Sequence, residues 1–222
     1  GYTTAGLGFQ HGARPRGFVH GFTSSGAVAT AFATPTTNNS NLVIRTLASD
    51  ALNNIYTAGE YEGEVFDLPS SNGVRNAYFG RWSTAGTNLG HVVIARTSVG
   101  SKAYDIYLDQ SNGVYVVGSF TAFADFDPSA AANNLSYLGT NAFIAKYGAD
   151  FSFKWARNTE FTGTDVGLSV KTVPGGNVSM LISNFDNGDY ESYVYEYSAS
   201  TGTLVGGTRL GFADKSFYAK DY

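Results

Sequence analysis

The chain has no cysteine among its 222 residues, so neither a disulfide framework nor a thiolate metal centre can be built from it. Charge is sparse: 14% of residues are Asp, Glu, Lys or Arg, and the formal net charge of −4 offers nothing to a polyanion such as nucleic acid. No apolar run approaches the ~18 residues of a helical membrane span, and the first residues given do not have the pattern of a signal peptide. The sequence opens on Gly1 rather than Met, as expected of a processed, tagged or excerpted chain. Histidines are few (His11, His20, His91), and none has the i+4 partner or nearby thiol of a zinc site. No G-x-S-x-G elbow occurs, and Gly6-x-Gly8-x-x-x-Gly12 lacks dinucleotide-loop spacing.

What is present is glycine and aromatic side chains: 27 Gly, 15 Tyr, 16 Phe and 2 Trp, the balance of a strand-and-turn protein. The stretch Tyr104 to Asn158 shows the grammar. Four short apolar runs (Ile106 to Leu108, Val114 to Phe120, Ala142 to Tyr147, Phe153 to Ala156) are rich in β-branched and aromatic residues and lack a helical period. Asp109-Gln110-Ser111-Asn112-Gly113 and Gly148-Ala149-Asp150 separate them as turns, because Asn and Gly tolerate positive φ and Asp caps its own backbone.

This four-strand unit is repeated. Asp50, Asn53, Ile55, Tyr56 and Gly59 align with Asp109, Asn112, Val114, Tyr115 and Gly118, 59 residues on. Phe66-Asp67 matches Phe126-Asp127, Ala77 to Trp82 matches Ala142 to Tyr147, and Ile94-Ala95-Arg96 matches Trp155-Ala156-Arg157. A weaker copy follows, with Leu168 to Val170 as its first strand, Asn177 to Phe185 as its second and Tyr193 to Tyr197 as its third.

The two ends read as parts of one further unit. GYTTAGLGF resembles a second strand, Phe18 to Phe22 a third and Ala27 to Ala33 a fourth, whereas Phe217 to Asp221 resembles a first. The expected fold is therefore an all-β propeller of four-stranded antiparallel blades, four in number at about 55 residues each. Its segments are residues 1–38 (strands two to four of the split blade), 42–100, 103–160, 165–210, and 212–222 as the closing strand. An excerpt of a longer propeller and an open stack are the alternatives.

The pattern D-x-x-(N/G)-x-V-Y-V-x-G-x-F, then D-F-D-P, A-F-I-A-K-Y and W-A-R, resembles the SBBP-type β-propeller repeat of bacterial secreted and surface proteins. Asp109 through Arg157 carries the resemblance best. It implies an extracellular or cell-surface location and a structural or binding role without one family-wide activity.

Candidate chemistry is thin. Asp125 and Asp127 share one side of a strand, and paired carboxylates suit Ca²⁺; as Asp-Pro they equally suit a turn. Asp50, Asp109 and Asp221 recur at the same repeat position, as a turn duty does and a catalytic residue does not. Asn184 to Tyr190 has the Asn, Asp and aromatic composition of a saccharide surface and of a hairpin loop alike. Connections between second and third strands are long in two units (Glu60 to Asn76, Thr121 to Asn141), and unequal loops on a rigid scaffold are where binding is placed. Asp67, Tyr137, Asp186, Asp189 and Tyr190 are the candidate binding residues there, for a protein or glycan partner at the cell surface. Exchanging both long connections for tight turns is expected to leave the fold intact. No catalytic residue and no organic cofactor is expected; self-assembly into a surface filament is a further expectation, and glycoside hydrolysis or lyase chemistry ranks behind saccharide binding.

Overall fold

A computed structural model describes residues 17–34, 40–65, 68, 71 and 73–210. The segments 1–16 and 211–222, which carry the expected second strand of the split unit and the closing strand, lie outside them, as do His11, Phe66 and Asp67. The described chain is all β and contains no helix. β1 (Phe18–Phe22) and β2 (Val28–Ala33) form a hairpin. β3 (Asn41–Ser49), β4 (Ile55–Glu62), β5 (Asn76–Trp82) and β6 (Asn88–Val93) form a first antiparallel meander. β7 (Ser101–Leu108), β8 (Val114–Asp125), β9 (Asn134–Tyr147) and β10 (Phe153–Asn158) form a second. β11 (Thr164–Thr172), β12 (Val178–Asp186), β13 (Asp189–Tyr197) and β14 (Leu204–Arg209) form a third. One parallel pair, Thr164 with Thr140, joins the second and third sheets, and no sheet among the described residues closes on itself.

Turn chemistry sets the hairpins. Asp50 Oδ1 accepts the N–H groups of Leu52 and Asn54, and Asp109 Oδ1 those of Ser111 and Gly113, all at 2.8–2.9 Å. Asn53 and Asn112 stand at φ 62° and 58°, which Asn tolerates at low cost. The third sheet uses Asn187-Gly188 between β12 and β13, with both residues at positive φ, the signature of a two-residue hairpin turn.

The sheets stack face to face in chain order. Along β8 alternate side chains enter different cores. Val114, Val116 and Phe120 pack with Tyr56, Phe79, Val92 and Ile94 of the first sheet. Tyr115 and Val117 pack with Val170, Val178, Met180 and Ile182 of the third. A strand buried on both faces must be apolar throughout, which is why β8 reads VYVVGSF without hydrophobic–polar alternation. Burying each such side chain stabilises by about 1.5–3 kcal/mol. On the outer side of the first sheet Phe32 of β2 meets Trp82, ring centroids 5.6 Å apart.

The three first strands share a bulge. Register slips between Ile44 and Thr46, Ala103 and Asp105, and Gly167 and Ser169, leaving Arg45, Tyr104 and Leu168 as the extra residues. Opposite the bulge in the first two sheets stand Gly59 and Gly118, where a Cβ would lie 1.9 Å from the carbonyl oxygens of Val43 and Lys102. In the third sheet the glycine has changed strands: Gly167 faces Ile182. Asp105 ties the three together. Its Oδ1 accepts from Thr46 Oγ1 of β3 at 3.1 Å; its Oδ2 accepts from Ser169 Oγ and Val170 N–H of β11 at 2.9 Å each. The first strands of all three sheets therefore lie side by side.

Three sequence expectations change. The connection Thr121 to Asn141 is mostly strand: β8 and β9 extend as a two-stranded arm, and only 126–133 is irregular. Neither long connection is dispensable, because Val65, Leu68, Ala124 and Phe126 are buried, and Phe126 stacks edge-on against Phe143. Exchange for tight turns would cut into the core. Finally, Tyr78 pairs with Val93 and Phe143 with Asn158, so Val92, not Arg96, is the register equivalent of Arg157. Ala95 and Arg96 are an extra step between the sheets.

Candidate functional site

In an antiparallel meander the connection between strands two and three opens at the same end as the passage from strand four to the next unit. Each junction between consecutive sheets therefore meets both kinds of segment on one face. The described residues contain two such junctions between complete sheets.

At the junction of the second and third sheets a buried polar network links the two sheets. Asp165, fully buried at the start of β11, accepts hydrogen bonds from Asn141 Nδ2 and Thr159 Oγ1 at 2.8 Å each, and from Asn184 Nδ2. Asn141 Oδ1 in turn accepts the N–H groups of Thr159 and Glu160 at 3.2 Å. Burial pushes the Asp165 carboxyl above the usual carboxylate range, against the pull of these donors.

At the junction of the first and second sheets an open cleft remains. Asn76, the repeat equivalent of Asn141, accepts the N–H of Thr97 at 2.9 Å. Ser101, at the register position of Asp165, accepts the N–H of Ala77 at 2.9 Å and donates to Ala95 O at 2.6 Å. These bonds engage Asn76 Oδ1 and Ser101 Oγ, and beside them lies a cavity of about 500 Å³ bordered by Ser71, Asn76, Arg96, Ser98, Phe123 and Asp125. A second hollow of about 190 Å³ shares Arg96 and Asp125 and adds His91, Asp127 and Ser129.

Two left-handed alanines shape the walls. Ala95, at φ 51°, ends the strand direction of β6 and swings Arg96 out to an exposed position. Arg96 N–H then donates to Asp125 O at 2.7 Å and Asp125 N–H to Arg96 O at 2.9 Å, locking the two backbones together. Ala122, at φ 64°, interrupts the register between Thr121 and Phe123 and leaves the Phe123 ring 51% exposed beside the cleft. Non-glycine residues in this region cost about 1–3 kcal/mol each and persist where the surroundings impose them. Among the described residues the Arg96 guanidinium forms no ion pair.

The sequence candidates fall in three places. Asp125 and Asp127 border the open junction, and both carboxylates serve their own turn: Asp125 Oδ1 accepts from the backbones of Asp127 at 3.1 Å and Asn133 at 2.9 Å, and Asp127 Oδ1 from Ser129 N–H at 2.9 Å. No group of three or more His, Asp or Glu side chains that could hold a metal occurs among the described residues. Tyr137, Asp186, Asp189 and Tyr190 surround the sealed junction instead. Tyr137 Oη donates to Glu160 O at 3.1 Å, Asp186 accepts from Thr162 Oγ1 at 2.8 Å, and Tyr190 lies 4.6 Å from Phe185 across the hairpin that Asp186 and Asp189 close. Asp67 is outside the described residues. Arg96, Phe123 and Ser98 carried no sequence signal, since a left-handed alanine looks like any other alanine.

No family model matches the chain, and none of the curated proteins matches it.

Proposed function

We propose that the chain is a four-bladed β-propeller of the SBBP-type repeat, in which residues 217–221 complete the blade of residues 1–33. It acts outside the cell as a non-enzymatic structural and binding module. The propeller reading is supported by the shared carboxylate of Asp105, which brings the first strands of three successive sheets to one line, as blades about a common axis require. The binding reading rests on one observation above others: of two equivalent junctions, one is sealed by a buried polar network and the other is held open at about 500 Å³. That volume falls within the ordinary range of ligand sites. The carboxylate of Asp125 is occupied by turn duty there, which favours holding a partner over acid–base chemistry.

Saccharide binding is the second reading. The exposed Phe123 ring beside serine hydroxyls, an asparagine amide and an arginine favours it, since rings stack on sugar faces while polar groups meet hydroxyls.

A cleft-filling variant tests both. Ser98→Trp lies on the exposed wall and should leave stability within about 0.5 kcal/mol of the parent. On an array of glycans and cell-surface proteins it should lose the partners that the parent retains. An unchanged profile would refute the placement of binding at this junction.

A further inference from the structure

Resting on the binding reading above, we propose that the open junction selects carboxylate-bearing saccharides, with Arg96 gripping a uronate carboxylate and Phe123 stacking on the sugar ring.

The Arg96 side chain stands in the cleft without an ion pair among the described residues, although its backbone is fixed at both N–H and C=O by Asp125. A guanidinium on an anchored backbone presents a preorganised fork of donors, and the planar acceptor that matches it is a carboxylate. The charge reaches the neighbouring Tyr61, whose hydroxyl it partly stabilises in ionised form against a larger effect of burial.

The rest of the lining suits a sugar. Phe123 supplies an apolar plate, held outward by the left-handed turn at Ala122. Ser98 offers an exposed hydroxyl, and the Asn76 Oδ1 that accepts from Thr97 leaves the amide nitrogen of the same side chain for a ligand. Asp125 borders the same cleft and accepts its two backbone donors through Oδ1. Donors and acceptors around one apolar face are what a polyhydroxylated ring needs. An acidic peptide would need the cation alone. Two conformational costs stand next to each other here, at Ala95 before Arg96 and at Ala122 before Phe123. Each places the following side chain on the same cleft.

Isothermal titration of the full chain with trigalacturonate, a neutral galactose trisaccharide and hexaglutamate tests the proposal. Trigalacturonate should bind at least about tenfold more tightly than either of the others, and more weakly as salt is raised. Arg96→Gln should erase the preference for the acidic sugar, and Phe123→Ala should weaken both sugars, with melting temperatures unchanged in each. Equal binding of acidic and neutral sugars, equal binding of hexaglutamate, or Arg96→Gln binding like the parent would each overturn it. If no saccharide binds while the array still shows partners lost on Ser98→Trp, the saccharide proposal falls and the binding reading stands. If the Ser98→Trp profile is unchanged, the binding reading itself falls.

Discussion

Asn141, Thr159, Asp165 and Asn184 close the junction between the second and third sheets. At the junction between the first and second, strand register puts Asn76, Ser101 and Phe120 in the places of Asn141, Asp165 and Asn184, and Thr97 makes the hydrogen bond that Thr159 makes. The asparagine performs one duty in both: its Oδ1 caps the passage between sheets. The other positions diverge. A buried carboxylate with side-chain donors from three directions draws its surroundings shut, whereas a serine satisfied by two backbone groups asks nothing of its neighbours. The extra step of Ala95 and Arg96 then props the second arrangement open. Repetition supplies the scaffold, and one departure from repetition accompanies the cleft.

The largest expected effect comes from breaking the closed junction. Asp165→Ala leaves two buried amides and a hydroxyl without their acceptor, and should cost about 3 kcal/mol in urea unfolding. Ser101→Ala at the equivalent place removes one acceptor from the Ala77 N–H and should cost about 1 kcal/mol. Equal losses would mean that the two junctions do not differ as described.

Asp105→Ala comes next, at about 2 kcal/mol, because it releases donors on two other sheets. In a double-mutant cycle with Ser169→Ala the pair should show a coupling of about 0.5 kcal/mol or more. Strict additivity would remove Asp105 from its role as the tie between first strands.

A smaller effect follows from pH. The folded carboxyl of Asp165 titrates above the ordinary Asp value of about 3.9, so the folded state holds this proton more tightly than the unfolded chain does. Its contribution is full below the unfolded value and is lost as pH rises through the folded one. The stability of the parent relative to Asp165→Asn should therefore decline between pH 4 and neutrality; a constant difference would show the carboxyl unshifted. Smallest of all, Arg96→Gln and Phe123→Ala should each change unfolding free energy by no more than about 0.5 kcal/mol, since both side chains are exposed on a cleft rather than packed in a core.

Much of the sheet order was legible in the sequence. The recurring Asp and Asn of the first hairpin in two units, the Asn-Gly turn before Asp189 and the two-faced apolar run of β8 each announce themselves through local chemistry. The tie at Asp105 was not legible, because a carboxylate inside a strand gives no hint that its partners lie 59 and 64 residues away. The Asp165 network was hidden for the same reason. The cleft was foreshadowed only in outline, by the two long connections that border it. Its Arg96 was instead aligned with Arg157, since the added residues at Ala95 and Arg96 resemble the strand they leave.

The most direct test of the proposed ring is a cross-link. With no native cysteine, Thr4→Cys and Tyr218→Cys give one thiol pair, placed where the register of Leu47 with Thr57 in the first sheet would put strand neighbours. Adjacent strands lie about 5 Å apart, within disulfide reach. The ring predicts a rapid intramolecular disulfide in the monomer that raises the melting temperature. Thiols that stay free under mild oxidation, or that link only between molecules, would contradict it.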